Sequence, residues 1–286
     1  MISIDWAATY SCNFHCKYCF PSISIKKNKE SPPIDGNEIA DKFLKFSENM
    51  GQKLHITISG GEPFLLKDFV DLCEKLVYEG NLLTIFTNLS IREKIEDFNN
   101  RVSSYGIDNL DAALHIEERE RKNNLDDYIT DFIKLKENGF NISSTYVLHP
   151  TLMERFDDDL ELLYANNITP VNTKVFKGQY NGKFFPEGYT EEEKIKIMRH
   201  TDNNYFEFTR GYLEQELKKH GGQPCYCGIT GFKVEVDGTL KRCGFVNRTY
   251  GNIFEGHYVT DKEPLPCPNN EGFSITWCGK HVENKE

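Results

Sequence analysis

The chain has 286 residues, 38% of them hydrophobic with 20 Phe and 14 Tyr, which is enough to bury a sizeable core and excludes a disordered chain. A formal net charge of -10 weighs against bare nucleic acid as a partner, because that asks for a basic face. The start lacks a basic region with an apolar run, and no apolar stretch reaches the roughly 18 residues of a membrane span, so a cytoplasmic protein is expected. Thiols stay reduced there, and nine cysteines then read as metal ligands and not as disulfides.

Strand-like and helix-like stretches alternate through the first two thirds. Strands are predicted at 2–8, 54–59, 82–87, 109–116, 141–148 and 170–176. Helical spacing is predicted over 38–49 (Ile39, Phe43, Phe46), 66–79 (Phe69, Leu72, Leu76, Val77) and 126–138 (Ile129, Phe132, Ile133, Leu135). Gly80 and Gly139 stand where helices should stop. Repeated strand–helix units imply a parallel sheet with crossover helices, and six of them suggest a partial or complete barrel. The stretch 26–35 reads as a surface loop, and the acidic runs 157–159 and 191–193 as solvated helix starts. After about Phe185 the pattern changes. Thr190 with Glu193 is a capping box opening a helix to about Arg199, and a second helix is predicted over 205–219. A β-hairpin follows, 232–236 and 240–242 around Asp237-Gly238, and then a loop-like tail.

Three cysteines, Cys12, Cys16 and Cys19, fall within eight residues just after the first strand. Soft thiolates this close suit iron–sulfur or zinc. Zinc would want a fourth ligand, and His15 is awkwardly placed between two cysteines. Three thiolates have another logic: they hold three irons of a four-iron cluster and leave the fourth open. The second strand then runs into Gly60-Gly61-Glu62-Pro63, where glycines allow close backbone approach.

The spacing C-x3-C-x2-C before an aromatic, with GGEP after the next strand, resembles the radical S-adenosylmethionine (SAM) superfamily. The match covers roughly residues 1–185. The resemblance implies a [4Fe-4S] cluster on Cys12, Cys16 and Cys19, and SAM bound through its methionine part to the open iron. It implies a turn at Gly60, Gly61, Glu62 and Pro63 that meets the SAM amino group. The barrel mouth lies at strand C-termini in such folds, which also selects Asn88, with Thr87, at the end of strand three. On strand four, alternation places Asp111, Ala113, His115 and Glu117 on one face. His115 and Glu117 are therefore candidates for the SAM ribose, or equally a supporting hydrogen-bonded pair. Tyr146 and Lys174, with His115 and Glu117, are the candidate catalytic residues, and His149 ends strand five. Trp6 reads as core, as does Cys73.

Five cysteines lie in the last third. Cys225-x-Cys227-Gly228, the hairpin, Cys243 and Gly251-Asn252-Ile253 resemble the opening of the SPASM and twitch auxiliary-cluster domains. The register of that resemblance makes Cys225 the ligand and Cys227 a spare. With only Cys267 and Cys278 beyond, the count suits the shorter twitch form, one auxiliary [4Fe-4S] cluster on Cys225, Cys243, Cys267 and Cys278. Zinc on four thiolates explains the count equally well.

The expected architecture is α/β, a partial (β/α)6 TIM-like barrel over 1–185, a helical connector over 186–222 and a small C-terminal β-hairpin, twitch-like extension over 223–286. The expected activity is reductive SAM cleavage to a 5′-deoxyadenosyl radical that abstracts a hydrogen atom, as a radical SAM oxidoreductase or maturase. A flavodoxin or ferredoxin would supply the electron. The substrate expected first is a ribosomally made peptide, oxidised, cross-linked or epimerised. With only eleven residues before Cys12, a leader-peptide-binding protein would be separate. Close behind stands a small molecule, an aminoglycoside, nucleoside or sugar precursor, and last a non-catalytic metal-binding scaffold. The net charge hints at a basic substrate.

Overall fold

The computed structural model describes residues 1–19, 32–200, 206–214 and 219–269. Six parallel strands lie side by side in chain order: β1 (Ile2–Thr9), β2 (Leu54–Gly60), β3 (Leu82–Thr87), β4 (Ile107–Ala113), β5 (Ile142–Leu148) and β6 (Val171–Val175). Helices connect them: α1 (Gly36–Met50), α2 (Phe69–Tyr78), α3 (Arg92–Arg101), α4 (Ile116–Lys122), α5 (Leu125–Glu137) and α6 (Phe156–Ala165). This is the partial (β/α)6 barrel expected from the strand–helix repeats.

Alternation along each strand builds two environments. Ile2, Ile4, Trp6 and Ala8 of β1 bury against the helices, where Trp6 meets Phe43 of α1 edge-on at 5.1 Å. The opposite faces carry polar groups, several of which pair across strands. Asn172 donates to Ser143 Oγ at 3.0 Å, and Lys174 pairs with Asp111 at 3.0 Å.

Beyond β6 come a short hairpin, β7 (Gly178–Tyr180) and β8 (Lys183–Phe185), then α7 (Glu191–Met198) and α8 (Phe206–Leu213). Thr190 and Glu193 form the predicted capping box at the start of α7. The C-terminal part adds β9 (Pro224–Cys225), β10 (Gly231–Val234), β11 (Thr239–Cys243), β12 (Val246–Asn252), β13 (His257–Tyr258) and β14 (Leu265–Pro266). β10 lies parallel to β1, with Ile4 opposite Phe232, so the hairpin β10–β11 continues the barrel sheet past its first strand. No helix among the described residues is long and apolar enough to cross a membrane.

Two readings are corrected. Strand four ends at Ala113, not at residue 116: His115 takes a left-handed φ of 49° and serves as N-cap of α4. The alternation argument therefore does not reach His115 or Glu117. Helix α3 was not foreseen, because it buries only Ile95 and Phe98, too few apolar residues to show a period.

Candidate active site

At the C-terminal ends of the parallel strands lies a cavity of about 410 Å³. Cys12, Cys16 and Cys19 line it from the loop after β1, and Gly60 and Gly61 from the turn after β2. The cysteine and GGEP motifs, 41 residues apart between Cys19 and Gly60, thus meet in one place. All three are partly exposed and outside any disulfide.

The glycines are needed for contact between chain segments. A Cβ on Gly60 would stand 2.3 Å from the Thr9 carbonyl oxygen, and one on Gly61 2.1 Å from that of Ser11. This closeness lets Gly61 N–H donate to Thr9 O at 2.6 Å and Glu62 N–H to Ser11 O at 2.8 Å. The cysteine loop is thereby clasped to the end of β2. Glu62 itself is fully buried behind the turn. Its carboxylate accepts from Phe64 N–H at 3.1 Å, Thr87 Oγ at 2.7 Å and Asn88 N–H at 2.6 Å. Burial outweighs these bonds and raises its pKa to about 6. Pro63 opens a 3₁₀ turn behind it, also buried.

A second layer holds the cysteine loop. Asn88 Nδ2 donates to Asn13 Oδ1 at 2.9 Å and reaches Cys12 Sγ at 3.9 Å, while Asn13 Nδ2 donates to Ser90 Oγ at 2.8 Å. The fully buried Arg119 donates to the carbonyls of Leu114 and Asn88, and its guanidinium lies 5.0 Å from the Phe14 ring centre. Glu118, paired with Arg121, accepts the His15 N–H at 2.9 Å. None of Asn13, Ser90, Glu118 or Arg119 stands out in the sequence, because each acts through residues distant along the chain.

The strand-end candidates separate. His115 lines the cavity, with Nδ1 3.2 Å from the Tyr18 hydroxyl. Burial, helped by Arg119, pushes its pKa down to about 3, so the ring is neutral. Glu117 is not among the lining residues; it lies on α4 and pairs with Lys17 at 2.9 Å. Tyr146 is buried on the helix side of β5 and donates to Asp159 Oδ2 at 2.6 Å. His149 sits near the mouth between the rings of Phe176 and Tyr180, at 4.7 and 4.8 Å. Lys174 lines the cavity, and Thr145 and Lys177, which sequence reasoning did not select, join it. The wall therefore carries cations, opposite in sign to the whole chain.

Away from this cavity, Cys225, Cys227, Cys243 and Cys267 form one buried cluster. The pairing of β9 with β14 sets Leu265 opposite Cys225, and Cys267 N–H donates to Gln223 O at 2.8 Å. Arg242 knits the group, donating to Cys227 O at 3.1 Å, Leu265 O at 2.9 Å and Pro266 O at 3.1 Å. A hydrogen bond from Cys227, with Arg242 nearby, lowers the Cys225 pKa, which favours the thiolate that metals require. Cys227 thus packs with the other three, while Cys278 lies outside the described residues. No three Cys, His, Asp or Glu among the described residues converge on a single-ion position in either cysteine group.

A family model described as the radical SAM superfamily matches residues 6–163, more than half of the chain. The chain belongs to the radical SAM superfamily. A putative glycyl-radical enzyme activating enzyme of Methanocaldococcus jannaschii is 44% identical over 82 residues, 28% of this chain and 29% of that protein. A GTP 3′,8-cyclase of Helicobacter pylori is 26% identical over 263 residues, 83% of this chain and 78% of that protein. Several curated relatives are matched over only 23–35% of their length. Among solved structures, anSMEcpe with bound AdoMet superposes with a TM-score of 0.63 at 17% identity, covering 99% of this chain and 83% of that one. That likeness concerns the fold.

Proposed function

We propose that this radical SAM protein is an enzyme that cleaves SAM reductively and takes a hydrogen atom from a substrate held in the cavity. The observation that carries this reading is the meeting of Cys12, Cys16 and Cys19 with Gly60 and Gly61 around one cavity at the strand ends. Three cysteines, with no fourth among the described lining residues, suit a four-iron cluster with one open iron. When bound, such a cluster supplies the electron that splits SAM into methionine and a 5′-deoxyadenosyl radical, the species that abstracts hydrogen. The chain's own residues do the rest. The cysteines would hold the metal, the Gly60–Gly61 backbone and the neutral His115 would line the space for SAM, and Glu62, Pro63 and Asn88 keep both loops in position from behind. Glu117 and Tyr146 take no part in this reading, because neither lines the cavity.

The second cysteine group is proposed to hold an auxiliary [4Fe-4S] cluster, in the manner of a twitch domain, with Cys227 able to stand where Cys278 was expected. Two substrate classes each have an observation behind them. A peptide is supported by anSMEcpe, which shares the fold and has been solved with AdoMet and a Cp18Cys peptide. A nucleotide-like small molecule is supported by the GTP 3′,8-cyclase relative, matched over 83% of this chain.

The test is anaerobic reconstitution followed by dithionite and SAM. The expected result is 5′-deoxyadenosine from the native chain, none after Cys12, Cys16 and Cys19 are changed to Ala, and two clusters' worth of iron and sulfide. Product persisting in the triple variant would refute the assignment, and iron for only one cluster would remove the auxiliary site.

A further inference from the structure

The substrate side of the cavity has a definite sign. Among the described residues that line it none is Asp or Glu, while Lys174 and Lys177 both do. Lys174 reaches the wall from β6, backed by Asp111, which is 1% exposed and does not itself line the cavity. Lys177 follows β6 and rests 3.6 Å from the ring centre of Tyr212 on α8. Burial lowers its pKa to about 8, the signature of an ammonium group taken from water. Between the lysines and the cysteine loop, on β5, stands Thr145. The residue is 3% exposed and lines the same cavity, and its hydroxyl has no hydrogen-bond partner among the described residues. A buried hydroxyl left unmatched is destabilising unless a ligand completes it.

We propose that the substrate carries an anionic group, a phosphate or a carboxylate, and that Lys174, Lys177 and Thr145 Oγ seat it on the β5–β6 wall. The inference rests on the reading of the cavity as the site of a radical SAM enzyme, and it adds the substrate's chemical class. Geometry and charge agree. The positive charge of the lining lies on the β6 side, and an anion is drawn to the lysines there. The ammonium groups supply charge, and the hydroxyl supplies one oriented donor. A substrate fixed at its anionic end leaves its remaining bonds facing the cysteine loop, where hydrogen abstraction would occur. The whole-chain charge pointed to a basic substrate; the local wall points the other way.

The experiment uses the reconstituted full chain with inorganic pyrophosphate and succinate as separate calorimetric probes. The expected result is saturable binding of one probe, weakened about tenfold or more in Lys177→Met and in Thr145→Val and restored in Lys177→Arg. Pyrophosphate binding assigns a phosphate, and succinate binding a carboxylate. Circular dichroism and the cluster absorbance confirm that each variant is folded. Binding of neither probe, or equal binding by native chain and Lys177→Met, overturns the proposal. So does a loss in Lys177→Met that falls on the SAM-dependent change of the reduced cluster's EPR signal, since the lysine would then serve SAM. Failure of the native chain to form 5′-deoxyadenosine would strike the enzyme reading itself, whereas calorimetry reads the anion site separately.

Discussion

The carboxylate of Glu62 accepts the backbone N–H of Asn88 at 2.6 Å, so the turn after β2 and the end of β3 are joined through a buried charge beneath the cysteine loop. The joint has a pH signature. Burial raises Glu62 from 4.5 to about 6 in the folded chain, so folding favours its protonated form. Its contribution to stability is greatest below pH 4.5 and is lost as pH rises through 6. The shift is worth about 2 kcal/mol. Urea unfolding of the native chain and Glu62→Gln at pH 4.5 and pH 7 should show the native chain gaining that much on the variant at the lower pH.

Gly61 leaves no room for a side chain. A Cβ there would meet the Ser11 carbonyl oxygen at 2.1 Å, and backbone cannot swing aside as a flexible side chain can. Gly61→Ala should cost about 1–3 kcal/mol in thermal or denaturant unfolding, the range for overpacking. Because Ser11 adjoins Cys12, the variant should also retain less iron after reconstitution.

Arg119 ties the cysteine loop to the ends of two strands. Its guanidinium serves the carbonyls of Asn88 and Leu114 and lies over Phe14 and Tyr128. A lysine lacks the planar fork needed for both carbonyls. Arg119→Lys should lower unfolding stability by roughly 2–4 kcal/mol, and Arg119→Met by at least as much.

Cys227 and Cys278 make opposite predictions about the second metal group. Cys227 is buried among Cys225, Cys243 and Cys267. In a background lacking Cys12, Cys16 and Cys19, Cys227→Ala should lose the remaining iron as Cys225→Ala does. Cys278→Ala should retain it. Iron retained in Cys227→Ala and lost in Cys278→Ala would restore the ligand set that the resemblance to twitch domains implies.

The chemistry was legible in the sequence where it is local. Cys12, Cys16 and Cys19 lie within eight residues, the Gly60–Pro63 turn directly follows an alternating strand, and Thr190 with Glu193 spells out a cap. What escaped depends on distant partners. Asn13, Ser90 and Arg119 acquire their meaning only when β1, β3 and α4 come together. His115 was read as strand because the alternation of Asp111-Ala-Ala-Leu-His115 continues past Ala113, and only its left-handed backbone breaks it. The sign of the cavity is hidden for another reason: 44 acidic residues set the average, yet the described residues lining the cavity include none of them.

The parallel pairing of β10 with β1 has a mechanical meaning. Ser3 through Trp6 are hydrogen-bonded along one edge to Gly231 through Val234, and along the other to β2. The strand leading to Cys12, β1, and the strand ending at Cys243, β11, therefore belong to one sheet, with β10 hydrogen-bonded between them. The approach to Cys12 and the end at Cys243 are thereby joined through main-chain bonds across the sheet, so a change at one strand is carried to the other by the backbone and not only along the chain between them.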